Sequence, residues 1–285
     1  MFIIKMKTII TYIAIFALLI TLLGGYFFTY KTSSVSAENS VEVPIIMYHS
    51  VIDNKSKAGK FVITPSQFEQ DLLFIKENGY EPIFMEDIIN FVYKGTSLPK
   101  KPIVLTFDDG YYNNFLYVFP LLKKYNMKAV ISIVGVYTDL YTQNEDVSPE
   151  YSHLSWDNVS EMMDSGLVEF QNHSYNFHTT DKGRNGSKKK LSESFDEYER
   201  ILSDDLNILQ TEFVEHTGYC PTVYTYPFGA ISLVSTDIIK NLGFKASLSC
   251  ENKTNYIKAG DKEGLYLLNR FIRPSSKSLK QILKK

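Results

Sequence analysis

Apolar positions in this chain follow two rhythms. Short, nearly continuous runs, PIIMYH (44–49), PIVLTF (102–107), AVISIV (129–134), LVEFQN (167–172), TVYTYP (222–227), KASLSC (245–250) and LYLLNRF (265–271), read as buried strands. Between them, the spacing predicts helices over 65–78, 85–93, 154–165, 190–216 and 231–242. The longest carries Leu191, Phe195, Tyr198, Leu202, Leu206, Leu209 and Phe213 on one stripe, and Gly218 ends it. Strand–helix alternation at this pitch predicts a parallel sheet with helices outside, as an α/β barrel or an open α/β sheet. The N-terminus differs. Thr8 to Tyr30 carries no charged side chain, enough to cross a hydrocarbon core of ~30 Å as a transmembrane helix. Lys5 and Lys7 precede it, which predicts a cytoplasmic N-terminus and an extracytoplasmic remainder. An uncleaved anchor is favoured over a signal segment cut after Ala37. The expected organisation is a tip and membrane segment over 1–30, a polar linker over 31–41 and one folded domain over 42–285.

In parallel α/β folds, chemistry collects at the carboxyl ends of strands. Four ends deliver unusual groups here: His49, the pair Asp108 and Asp109, His173, and the turn Pro227-Phe228-Gly229. Adjacent carboxylates at the end of a buried strand repel one another, and a bound cation would offset that repulsion. Asp109, His173 and His178 make a three-ligand N/O set that leaves a position for water. A cation there would acidify that water, and the unligated Asp108 is suited to take its proton. Alone, Asp-Asp-Gly is a turn and a loop histidine is a surface group. Their arrival at neighbouring strand ends favours the metal.

Composition narrows the alternatives. A formal charge of -2 over 285 residues gives no footprint for nucleic acid. Two cysteines, Cys220 and Cys250, exclude a disulfide scaffold and a thiolate zinc cluster; they either pair or remain thiols.

The segments PIIMYHSV, KPIVLTFDDGY, FQNHSYNFH and YTYPFG, in this order, resemble the polysaccharide deacetylases of carbohydrate esterase family four, the NodB-homology domain. The similarity spans roughly Val43 to Arg273. It implies a distorted (β/α) barrel and a divalent cation, zinc before cobalt or nickel. It also implies hydrolysis of N-acetyl groups on a cell-surface or cell-wall glycan by a monomeric enzyme. Residue by residue, it implies Asp109, His173 and His178 as metal ligands, Asp108 as base and the Phe228 N–H as oxyanion donor.

Departures from the family pattern matter as much. The two histidines are five residues apart, as in the subgroup acting on poly-N-acetylglucosamine. The arginine expected before the PFG element is replaced by Thr225 and Tyr226, and no histidine follows His216. His49 is therefore the candidate acid for the departing amine, or else a hydrogen-bonded structural histidine. Arg270 is the candidate replacement partner for Asp108, or else an arginine reaching solvent. Tyr111, Tyr112, Tyr175 and Phe177 read as sugar-facing rings or as packing, and Trp156 as packing or rim. The basic loop KGRNGSKKK (182–190) reads as a solvated turn or an attractor of anionic polymer. His153 and His216 read as structural. A deacetylase-like binding protein without turnover is the alternative function. A glycoside hydrolase would leave His173 and His178 unexplained.

Overall fold

The central strand Pro102–Phe107 is buried at every position and is rich in branched residues, the composition of a strand covered on both faces. The computed structural model describes residues 40–144 and 146–283. The membrane segment expected over 8–30 lies outside the described residues, among which no helix is long and apolar enough to cross a membrane.

In chain order the strands are β1 (Ser40–Val43), β2 (Ile45–Tyr48), β3 (Ser50–Val51), β4 (Val62–Ile63), β5 (Glu81–Pro82) and β6 (Pro102–Phe107), then β7 (Ala129–Ile133), β8 (Val168–Asn172), β9 (Val223–Thr225), β10 (Ala246–Leu248), β11 (Asn255–Lys258) and β12 (Phe271–Ile272). The main sheet has the order β10-β9-β8-β7-β6-β2-β12, with β5 added beside β6, and every pairing is parallel. The sheet curls into a half-barrel. Its two edges are bridged by one segment: Leu268 pairs with Leu248 of β10, and Phe271 with Ile46 of β2.

Period-two alternation assigns the faces. Ile45, Val104, Val130, Val223 and Leu248 share one buried cluster. The alternate residues Ile46, Leu105, Ile131 and Phe170 pack instead with Phe68, Leu72, Leu209 and Phe213 of the surrounding helices. His49, Asp108 and His173 continue the first set, so the strands aim them at the mouth of the half-barrel.

Four expected helices appear as Pro65–Glu77, Met85–Lys94, Trp156–Asp164 and Ser235–Asn241. The long one begins later than its stripe suggested, at Phe195, because the Ser194 hydroxyl caps it by accepting from Glu197 N–H. Leu191 lies before that cap and is fully exposed. The run LYLLNRF is a strand only at its end: a short 3₁₀ turn occupies Glu263–Leu265 and β12 begins at Phe271. The short helices Phe119–Tyr125 and Gly135–Thr142 and the antiparallel pair β1–β11 carry no clear periodic signal.

Candidate metal centre and active site

Strand β6 carries Asp108 in register with its inward face, and then the backbone turns over. Asp109 has φ 71° and Gly110 φ 68°. A Cβ at Gly110 would lie 2.8 Å from Ile133 Cγ2, so only glycine fits. Left-handed backbone at a non-glycine residue costs about 1–3 kcal/mol. Its result is to point two adjacent carboxylates in different directions.

Asp109 turns towards the histidines. Its Oδ1 lies 3.0 Å from His178 Nε2 and 3.4 Å from His173 Nε2, and the three ligand atoms fall within 4.8 Å of one another. His173 Nδ1 is 2.7 Å from the Thr225 carbonyl, to which it donates. That bond fixes the tautomer and leaves the Nε2 lone pair facing the carboxylate. Among the described residues, Asp109 Oδ1 is buried without a hydrogen-bond donor. Lone pairs converging at these distances require a positive centre between them, either a proton or a cation. Burial would raise the Asp109 carboxyl, but the two imidazoles outweigh it and hold it well below the carboxylate range. Burial would lower His173, yet Asp109 and Asp108 raise it. Binding a divalent cation here displaces the proton, so the donor set fits the metal that the motifs imply.

The loop joining the two histidines is held from behind. Asp205, on the helix Phe195–Thr217, accepts Tyr175 N–H at 2.9 Å and Asn176 N–H at 2.8 Å. Burial pushes its carboxyl up to about 6. Asn172 Oδ1 accepts Ser174 N–H, and Ser174 Oγ accepts Phe177 N–H. The Tyr175 hydroxyl donates to Asp139 at 3.1 Å, and its ring covers Gly135, where a Cβ would lie 2.5 Å away. Tyr175 is thus packing, and Phe177 lies beneath the Arg184 guanidinium at 4.8 Å.

Asp108 turns the other way. Arg270, fully buried, grips it with two bonds of 2.6 and 2.8 Å and also donates to the Ser249 carbonyl at 2.8 Å. Arg270 therefore does not reach solvent. Burial pulls Asp108 up, and the guanidinium overcomes it, holding the carboxyl below its ordinary value. His49, at the end of β2, places Nε2 3.9 Å from Asp108 Oδ2 and packs on Phe61 at 4.7 Å. Burial lowers its pKa, opposed by Asp108 and Asp109.

Phe228 completes the rim. Its φ is 58°, its half-exposed ring lies 4.3 Å from His178, and no hydrogen bond among the described residues uses its amide. These groups line a cleft of about 350 Å³ together with Tyr111, Cys250 and Asn252. The remaining residues do not line it. His153 lies behind Tyr111 at 4.8 Å, is stacked against Tyr137 at 4.5 Å and is pushed down by burial to about 4. His216 stacks on the buried Trp156 at 4.6 Å, and Tyr112 on Phe115. Cys220 and Cys250 are both free thiols.

The basic loop is more tightly packed than a fully solvated turn. Arg184 is buried in an ion pair with Glu193, and Lys189 Nζ donates to the Glu193 carbonyl. Lys190 Nζ donates to the Lys182 carbonyl at 3.1 Å. Gly186 lies so close to the PFG turn that a Cβ would meet Pro227 O at 2.6 Å. The loop packs as a strap under the turn; Arg184 is neutralised by Glu193, while Lys182 and Lys188 remain exposed.

Comparison with known proteins follows the same line. A family model described as polysaccharide deacetylase matches residues 95–247. The poly-β-1,6-N-acetyl-D-glucosamine N-deacetylase of Escherichia coli K12 is 28% identical over 228 residues, covering 73% of this chain and 34% of that protein. Its namesake in Staphylococcus aureus MSSA476 is 24% identical over 193 residues, covering 68% and 62%. The chain thus spans about a third of the first relative's length. The structure of a de-N-acetylase from Aggregatibacter actinomycetemcomitans aligns with a TM-score of 0.72 at 25% identity, covering 85% of this chain and 98% of that one. A family match over more than half of the sequence, carried by the segments that build the cleft, shows that this chain belongs to the polysaccharide deacetylase family.

Proposed function

We propose that this chain hydrolyses N-acetyl groups on an N-acetylglucosamine polysaccharide outside the cell, with a poly-β-1,6-linked glycan as the favoured substrate. The observation that carries the reading is the divergence of Asp108 from Asp109. One carboxylate faces two imidazoles, while the other is kept ionised and unligated beside them. The names of the relatives support the substrate class. The uncharged run Thr8–Tyr30 supports a membrane-tethered, extracytoplasmic location.

A divalent cation held by Asp109, His173 and His178, zinc before cobalt or nickel, would polarise the acetamide carbonyl and acidify the attacking water. Asp108 accepts a proton from that water, and Arg270 keeps the carboxylate aligned and charged. The Phe228 N–H steadies the oxygen of the tetrahedral intermediate, an interaction worth about 3 kcal/mol. When the C–N bond breaks, its electron pair stays on nitrogen, which must be protonated to leave as an amine. The proton Asp108 has taken must finally reach that nitrogen. His49 Nε2, 3.9 Å from Asp108 Oδ2, is the group placed to hand it over. Acetate and a free amine are the products.

Acetate release from a β-1,6-linked N-acetylglucosamine oligomer tests the reading. Turnover should disappear with a chelator and return with zinc or cobalt. Release that survives the chelator would remove the cation. Oligomer binding without release by the zinc-loaded protein would make this a binding protein.

A further inference from the structure

A group that delivers a proton needs as firm a seat as the group that removes one. Asp108 has Arg270, but among the described residues the His49 imidazole has no such partner: its buried Nδ1 makes no hydrogen bond there. Strand pairing does not seat it either. Strand β2 of the main sheet ends at Tyr48, and β3 begins at Ser50 and pairs with β4 in a separate sheet. His49 is the single residue between the two.

What fixes this junction is a pair of asparagines on another segment. Asn114 Nδ2 donates to the His49 carbonyl at 3.0 Å. Asn113 Oδ1 accepts Val51 N–H at 2.9 Å, and its Nδ2 donates to Ser50 Oγ at 2.8 Å and to the Pro149 carbonyl at 2.9 Å. The two amides are joined at 3.2 Å, and both side chains are fully buried. They belong to DDGYYNN, the stretch that also carries Asp108, so one piece of backbone seats both proton-transfer groups. Asn114 further opens a π-helical turn, Asn114–Val118, a widening of the helix that recurs at functional sites. Among the described residues its Oδ1 meets no donor.

We propose that Asn113 and Asn114 are positioning residues for proton delivery, locking the His49 backbone to the segment that carries Asp108. The inference rests on the reading of His49 as the proton donor. Its signature is a dependence on the leaving group. An amine departs only when protonated, whereas 4-nitrophenolate departs from its acetate ester without a proton.

The test is steady-state kinetics of the zinc-loaded full chain on an N-acetylglucosamine oligomer and on 4-nitrophenyl acetate. Asn114→Ala should lower kcat on the oligomer about 10- to 100-fold through misplacement of the donor. KM, zinc content and ester turnover should stay near wild type. His49→Ala should show the same split, and the double variant should lose no more than His49→Ala alone. Asn114→Leu, similar in shape, provides the same readout should the alanine variant fold poorly. Equal losses on amide and ester, additive losses in the double variant, or a lowered melting temperature with unchanged turnover per folded molecule would each overturn the proposal. A split in His49→Ala without one in either Asn114 variant defeats the asparagine inference only. No split in His49→Ala defeats the proton-donor reading, and this inference with it.

Discussion

Arg270 grips Asp108 at 2.6 and 2.8 Å, and Arg273 grips Asp71 at 2.7 and 3.0 Å. Both pairs are bidentate, and all four side chains are at most 3% exposed. They differ in what the remaining lone pairs meet. Asp71 also accepts the Tyr48 hydroxyl at 3.2 Å and Leu279 N–H at 3.3 Å, so uncharged donors close off both of its oxygens. Asp108 has His49 and the cleft on its open side. A buried ion pair is by itself weak evidence for stability or for catalysis. The side left open distinguishes a wall from a base.

Neutralising each aspartate gives the largest contrast. Asp108→Asn should reduce kcat about 10²- to 10⁴-fold while the cation content holds, since Asp109, His173 and His178 are untouched. Asp71→Asn leaves the Arg273 charge buried and half paired, a loss of about 3–5 kcal/mol that calorimetry would register as a lower melting temperature. Its acetate release per folded molecule should be kept. Exchanged outcomes would break the comparison.

Removing the arginines sharpens it through pH. In the native site, burial pushes the Asp108 carboxyl up and Arg270 holds it down. The stability gained from that depressed value is present above the ordinary carboxylate value and fades as pH falls through the folded one. Without Arg270 the strongest opposition to that push is gone, and only His173 and His49 still draw the carboxyl down. The acid limb of kcat/KM in Arg270→Ala should therefore move to higher pH, as the base is protonated sooner. Arg273→Ala should leave the limb in place, and a shifted limb there would show the two pairs to be coupled.

A smaller effect is expected at Asp205, a buried carboxylate that spends both oxygens on backbone N–H groups of the His173–His178 loop. Asp205→Ala should weaken zinc about 10- to 100-fold in chelator competition, the usual size of a supporting-shell loss. Unchanged affinity would mean that the helix Gly135–Thr142 holds the loop unaided.

What could be seen in the sequence was whatever lies close together along the chain. Asp108, Asp109, His173 and His178 were legible because each pair sits in one short segment, and strand periodicity aimed them at one rim. The Arg270 pairing was legible only as a vacancy left by Thr225 and Tyr226. Asp205, Asn113 and Asn114 were not legible. Their partners are mostly backbone groups, up to 65 residues away, and backbone leaves no mark in side-chain pattern. In the loop 182–190 the charges are written in the sequence, while the burial of Arg184 against Glu193 is not. Leu191 misled for a related reason: it keeps the helical spacing, but the Ser194 cap starts the helix after it.

The segment 268–272 bridges the edges of the half-barrel, and the bonds of Arg270 and Arg273 reach back 162 and 202 residues. During synthesis, then, two acidic groups destined for the interior wait for counter-charges that emerge 162 and 202 residues later. Such distant contacts slow the final collapse. A copy truncated before 268 would lack its chemistry and would also hold two unneutralised carboxylates in its interior. Emergence of that one segment is thereby tied to the ability of the domain to stay folded.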